Sequence, residues 1–73
     1  MWHLTFTMTI TVNGEQREIQ PGTTVAGLLE QLGLEARPCA AEVNKSLVPK
    51  REHGSAVLSD GDTVELVTLV GGG

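Results

Sequence analysis

The sequence predicts an α+β fold in which one helix packs on one face of a mixed sheet of four to five strands. Three observations predict it: short stretches that alternate apolar and polar residues, turn signals between them, and one segment with a helical apolar stripe. At 73 residues the chain is long enough for one domain with a small core. Its apolar fraction of 40% is ordinary for a folded domain.

The first two strands are predicted to form a hairpin. Met8 to Val12 alternates apolar and polar residues, which is typical of a half-buried strand. Asn13-Gly14 follows and favours a tight turn, because both turn positions need a positive φ. Glu15 to Gln20 is the predicted returning strand with Ile19 facing inward, and Pro21-Gly22 ends it.

One helix follows this hairpin. Thr23 or Thr24 can cap it by accepting a hydrogen bond from a free backbone N–H group. Gly33 stands where a left-handed residue commonly ends a helix. Between these signals, four apolar residues recur at i, i+3, i+4 and i+7 and form one stripe: Val25, Leu28, Leu29 and Leu32.

Two strands are predicted in the middle of the chain. Cys39, Ala41 and Val43 share one face of a third strand. After a turn at Asn44-Lys45, a short fourth strand runs over residues 46–48 and stops at Pro49.

The last strand is predicted to run from Thr63 to Val70. The polar segment from Lys50 to Ser55 is expected to be a loop, so that His53 is solvated. Asp60-Gly61-Asp62 resembles the opening of a calcium loop, but the other ligands are missing, and a plain turn is favoured.

The order of these elements predicts a ubiquitin-like β-grasp arrangement. The helix must cover the apolar face of its sheet, and a central position beside the first strand explains the continuous apolar character of the last strand. Val67 and Leu69 lie on the same face of this strand as Glu65. Val64 and Leu66 lie on the opposite face. Val67 and Leu69 are either an exposed apolar surface for a partner or buried under a covering loop.

The chain closes on Gly71-Gly72-Gly73, directly after this strand. Taken alone, three glycines are compatible with a frayed terminus. They are also a thin strip of backbone that can enter a channel too narrow for any Cβ atom. The sequence thus divides into an extension over 1–7, a β-grasp domain over 8–70 and a flexible tail over 71–73.

The composition argues against several other functions. A net charge of −4 disfavours nucleic acid as a partner. No glycine-rich phosphate loop is present, and His3, Cys39 and His53 lack metal-ligand spacing, so no metal or bound cofactor is expected. The only cysteine excludes an internal disulfide, and no stretch suits a signal peptide or a membrane span, which together favour the cytoplasm.

From Met8 onward the sequence resembles the sulfur carrier proteins of thiamine biosynthesis, the ThiS family. The resemblance rests on the order of several short motifs rather than on any one of them. These motifs are Val12-Asn13-Gly14, Thr24-Val25, Leu28-Leu29, Val43-Asn44, Val48-Pro49, Asp60-Gly61-Asp62, Val64-Glu65-Leu66-Val67 and the terminal glycines. The extension before Met8 and the additional Gly71 depart from the family pattern.

The resemblance implies a carrier that is not itself an enzyme. A partner ThiF-type adenylyltransferase would use ATP to adenylate Gly73, and a cysteine desulfurase system would supply sulfur to form a thiocarboxylate. The thiocarboxylate would then serve thiazole synthase ThiG. Gly71 and Gly72 would thread the partner's active site, and Val67, Leu69 and Val70 are the expected docking surface.

Three alternatives stay open at this level. A molybdopterin-synthase small subunit is also a β-grasp sulfur carrier with a Gly-Gly end. A ubiquitin-like protein modifier would use the same terminus to form isopeptide bonds. A β-grasp RNA-binding module of the TGS kind is disfavoured by the acidic charge balance.

Overall fold

The computed structural model describes residues 6–69, and within them the predicted elements occur in the predicted order. The seven elements are β1 Met8–Val12, β2 Glu15–Ile19, α1 Val25–Gln31, β3 Cys39–Val43, β4 Ser46–Val48, a 3-10 helix Lys50–Glu52 and β5 Thr63–Thr68. The last strand ends at Thr68, one residue before the last described residue, and the predicted strand residue Val70 lies outside the described residues. Most of the predicted extension and all of the glycine tail lie outside the described residues.

The first hairpin has the predicted turn. Asn13 and Gly14 both have positive φ values, 49° and 86°. This geometry lets β1 and β2 pair antiparallel, from Met8 opposite Ile19 to Val12 opposite Glu15. Ile19 is buried, as the alternation predicts.

Hydrogen bonds at both ends define where the helix begins and ends. Thr24, not Thr23, is the N-cap, and its hydroxyl accepts a hydrogen bond of 3.0 Å from the Gly27 N–H. Gly33 has a φ of +73°, and the N–H of Leu34 bonds back to the Leu29 carbonyl at 2.8 Å. These bonds satisfy carbonyl groups that the end of a helix otherwise leaves free.

The sheet places the last strand at its centre, in the order β2-β1-β5-β3-β4. β5 runs parallel to β1 and antiparallel to β3. The helix packs on one face, which we call the inner face, and its apolar stripe joins the strands in one core. The buried core residues are Ile10, Val12, Ile19, Val25, Leu28, Leu29, Ala41, Leu58, Val64 and Leu66. The β-grasp prediction is confirmed in its five-stranded form.

The turn before β5 uses its acidic side chains to hold backbone. Asp60 Oδ1 accepts a hydrogen bond of 2.8 Å from the Thr9 N–H, and Asp62 Oδ2 accepts one of 2.7 Å from the Ser59 N–H. Gly61 has a φ of +86°. The two carboxylates are thus committed to local structure, which agrees with a turn rather than a calcium loop.

The prediction for His53 was wrong. This residue is 7% exposed, and its Nε2 donates a hydrogen bond of 3.1 Å to the Val48 carbonyl. Residues 50–52 form a 3-10 turn rather than a loop, and this turn brings the ring inward. The His53 carbonyl in turn accepts a hydrogen bond from the Ala26 N–H, which ties the segment to the helix.

Candidate functional site

The segment that leads into the glycine tail is held in the sheet up to its last described residue. After β5 ends at Thr68, the Leu69 N–H still donates a hydrogen bond of 2.8 Å to the Pro38 carbonyl. This bond continues the pairing of β5 with β3 by one position. Leu69, the last described residue before the tail, is therefore held against the β3 side at the end of the central strand β5.

The predicted modification and threading residues lie outside the described part of the chain. Gly73, Gly71 and Gly72 follow the last described residue, as does Val70 of the predicted docking surface. Their roles stay predictions that the geometry of residues 6–69 does not test.

Val67 and Leu69, the other two predicted docking residues, are exposed. Their exposed fractions are 57% and 53%, whereas Val64 and Leu66 in the same segment are buried. Within the described residues, Val67 and Leu69 therefore form an exposed surface and are not buried under a covering loop, because about half of each residue is accessible to solvent. That a partner docks on them stays a prediction.

The exposed apolar surface extends further across the outer face, the face of the sheet opposite the helix. Ala40 lies directly opposite Val67 in the pairing of β3 with β5. On the edge strand β4, Leu47 belongs to the same face and is 64% exposed. We call Ala40, Leu47, Val67 and Leu69 the outer-face patch. Leu47 was not predicted, because a three-residue strand is too short to show which face each residue occupies.

Two carboxylates lie on the outer face among these residues, and one of them, Glu42, is directly opposite Leu47. Glu42 on β3 lies directly opposite Glu65 on β5, and both side chains are exposed. Like charges at directly opposite positions of a sheet repel each other. A partner that covers the outer-face patch therefore gains by placing a cation between these two residues.

Two grooves lie on the helix side of the sheet. One, of about 350 Å³, runs beside the end of β5, where Thr68 meets Leu32 and Leu34 from the end of the helix segment. The other, of about 370 Å³, contains Cys39 and His53. Neither groove collects the residues of a metal site, since no group of three His, Cys, Asp or Glu within residues 6–69 is arranged to hold an ion.

The fold and the site together define a class of protein: a small β-grasp domain that presents an apolar sheet face beside the strand leading to a glycine terminus. A family model described as "ThiS family" matches residues 10–73, and the chain belongs to this family. The resemblance to the ThiS family that the sequence motifs indicated is thereby confirmed. Among residues 6–69, no helix has the length and apolar character needed to cross a bilayer.

Three similar proteins place the chain within this family. It is 32% identical to the sulfur carrier protein ThiS of Escherichia coli (strain K12), over 90% of this chain and 100% of that one. It superposes on the crystal structure of a thiamine biosynthesis protein (ThiS) from Geobacter metallireducens with a TM-score of 0.76 at 29% identity, covering 90% of this chain and 100% of the other.

The third similar protein is much longer. The chain is 39% identical, over 90% of its length, to part of the thiazole synthase of Paramagnetospirillum magneticum. The matched region spans only 20% of that protein, and the same share of a second thiazole synthase, from Magnetococcus marinus.

Proposed function

We propose that this chain is a sulfur carrier whose terminal glycine, Gly73, becomes a thiocarboxylate that supplies sulfur for thiazole formation in thiamine biosynthesis. The observation that carries the proposal is membership of the ThiS family over residues 10–73, which includes the glycine terminus. The name of the similar Escherichia coli protein, a sulfur carrier matched over its whole length, supports it further.

The chemistry requires an activating partner. A carboxylate resists acyl transfer because it has no leaving group. A ThiF-type adenylyltransferase would use ATP to join AMP to the Gly73 carboxyl group, with pyrophosphate as the leaving group. A persulfide from a cysteine desulfurase system would then attack the carbonyl carbon, so that a C–S bond forms and AMP leaves. A thiol reductant would cleave the remaining S–S bond and free the thiocarboxylate. The carrier contributes the acyl group and the surface that presents it, and the catalytic groups belong to the partner.

The reach of the tail explains why the docking surface belongs beside it. Four residues follow Leu69, and four residues span at most about 14 Å even when fully extended. An active site that holds Gly73 must therefore come within this distance of Leu69. The outer-face patch is the exposed apolar surface of the described chain that lies next to this point. Glycines at 71 and 72 would let the backbone pass a channel that a Cβ atom would block.

Thiazole synthase is the proposed acceptor of the sulfur. Two proteins of this name contain a region similar to nearly all of this chain, although that region is only 20% of their length. A carrier-like domain that shares a polypeptide with a thiazole synthase supports a functional relation between the two.

The test is the intact mass of the protein after incubation with ATP, a ThiF-type adenylyltransferase and inorganic sulfide. We expect a mass gain equal to the replacement of one oxygen by sulfur, mapped to Gly73. Gly73→Ala and deletion of Gly73 should abolish the gain. Gly54→Ala is the matched control, because Gly54 has no positive φ and an added Cβ meets nothing within 4 Å. An unchanged yield from the Gly73 variants would contradict the proposal.

A further inference from the structure

The parallel pairing of β1 with β5 ends early on the β1 side. Backbone bonds of 2.9 Å run there from the Thr11 N–H to the Asp62 carbonyl and from the Asn13 N–H to the Val64 carbonyl. At Asn13 the chain turns away into β2. A continuing parallel ladder would next need a peptide of β1 opposite Leu66, and β1 has none to offer.

The side chain of Asn13 takes the place of this missing peptide. Its Oδ1 accepts a hydrogen bond of 2.8 Å from the Leu66 N–H, and its Nδ2 donates one of 3.1 Å to the Leu66 carbonyl. A side-chain amide carries the same carbonyl acceptor and N–H donor as a peptide group. Both backbone groups of Leu66 are thus held as they would be by a neighbouring strand.

We propose that Asn13 is a positioning residue that fixes the exit of β5 from the sheet. The bond to the Leu66 carbonyl fixes the peptide that joins Leu66 to Val67, and so keeps Val67 on the outer face. Leu66 itself is only 7% exposed, and both of its hydrogen bonds to Asn13 are part-buried, so water replaces them only in part when the amide is removed. The consequence for sulfur transfer rests on the proposed function, because it concerns how the outer-face patch and the tail are presented.

The geometry of the turn alone does not explain why residue 13 is an asparagine. Asn13 has a φ of 49°, which asparagine tolerates and glycine adopts freely. Glycine in its place would keep the turn and remove only the side-chain amide. Asn13→Gly therefore separates the positioning role from the turn.

Asn44 offers a matched control at the other end of β5. It also sits in a tight turn with a positive φ, 52°. Its Oδ1 accepts a hydrogen bond of 2.9 Å from the Thr63 N–H, and its Nδ2 donates one of 2.9 Å to Asp62 Oδ1. Asn44→Gly thus removes the same kind of amide from the start of β5 and leaves the end toward the tail intact.

The experiment combines amide hydrogen exchange, followed by NMR, with steady-state kinetics of adenylation by a ThiF-type enzyme. In Asn13→Gly we expect the Leu66 amide to exchange about tenfold faster than in Asn44→Gly, since one part-buried hydrogen bond is lost there. We also expect KM for the carrier to rise about fivefold in Asn13→Gly with kcat unchanged, as binding must then order the end of β5. Asn44→Gly should keep the KM of the original protein, even if it loses as much thermal stability as Asn13→Gly does.

Two results would overturn the inference. One is an Asn13→Gly protein whose Leu66 amide stays as protected as in Asn44→Gly. The other is an equal rise of KM in both variants, which would mean that only general stability matters. If the unaltered protein is not adenylated at all, the proposed function fails, and the exchange comparison at Leu66 still decides whether Asn13 holds β5.

Discussion

Val67 is the residue at which the docking proposal is most directly tested. Burying a whole valine side chain is worth about 1.5–3 kcal/mol. The folded carrier leaves 57% of Val67 exposed, so complete burial by a partner adds about 1–2 kcal/mol. Val67→Ser removes most of this gain, and KM for the carrier in adenylation should rise about tenfold.

Val57→Ser is the matched control for this change. Val57 is 60% exposed, so the same substitution removes the same apolar surface. It pairs with Thr24 at the start of the helix, whereas the end of β5 lies beside residues 32 and 34 at the other end of the helix segment. Thermal unfolding measures the stability of both variants, which should each lie within about 1 kcal/mol of the original protein. An unchanged KM in Val67→Ser, or an equal rise in Val57→Ser, would refute the reasoning.

Three further predictions concern stability and are checked by urea denaturation. Gly27→Ala should stabilise the fold by up to about 1 kcal/mol, because an added Cβ meets only ordinary contacts at 3.5 and 3.6 Å and alanine favours the helix. Gly33→Ala should destabilise it by about 1 kcal/mol, because alanine is strained at a φ of +73°; a shift of the same sign in both would contradict this. His53→Ala should cost about 2 kcal/mol through the lost ring and the lost bond to Val48, and a loss below about 0.5 kcal/mol, typical of a surface site, would show that the burial matters little.

Local sequence signals predicted the strands and the helix because the backbone adopts the conformations that these residue types prefer. Asn13-Gly14 adopts the positive φ angles that make this pair a turn signal, and Gly33 does the same at the end of the helix. The alternation in β5 correctly separated Val67 and Leu69 from the core, because the side-chain period of a strand is two.

The sequence did not reveal contacts that the local pattern of polar and apolar residues does not encode. His53 stands among polar neighbours, yet the 3-10 turn before it directs the ring toward the Val48 carbonyl. The Asn13 side chain reaches Leu66, 53 residues further along the chain. No spacing within a sequence announces such a contact, since it depends on which strand becomes the neighbour of β1.

The course of β5, the strand that leads to the tail, was predicted in part. The central place of β5 follows from its apolar composition and was predicted correctly. The bond from the Leu69 N–H to the Pro38 carbonyl was not, because a proline just before β3 gives no sign that its carbonyl pairs with the segment after β5. The chemistry of Gly73 rests on the family, as it lies beyond the described residues.

The parallel course of β1 and β5 has a practical consequence for handling this protein. Val12 lies opposite Val64. Met8 is four residues before Val12, and Thr68 is four residues after Val64. These eight residues of strand separate the start of β1 from the end of β5 by roughly 26 Å. A fluorophore, affinity tag or solid support joined at Met8 would therefore be attached far from the end of β5 that leads to the glycine terminus. On the proposed function, the protein immobilised through this point would still offer Gly73 to enzymes in solution.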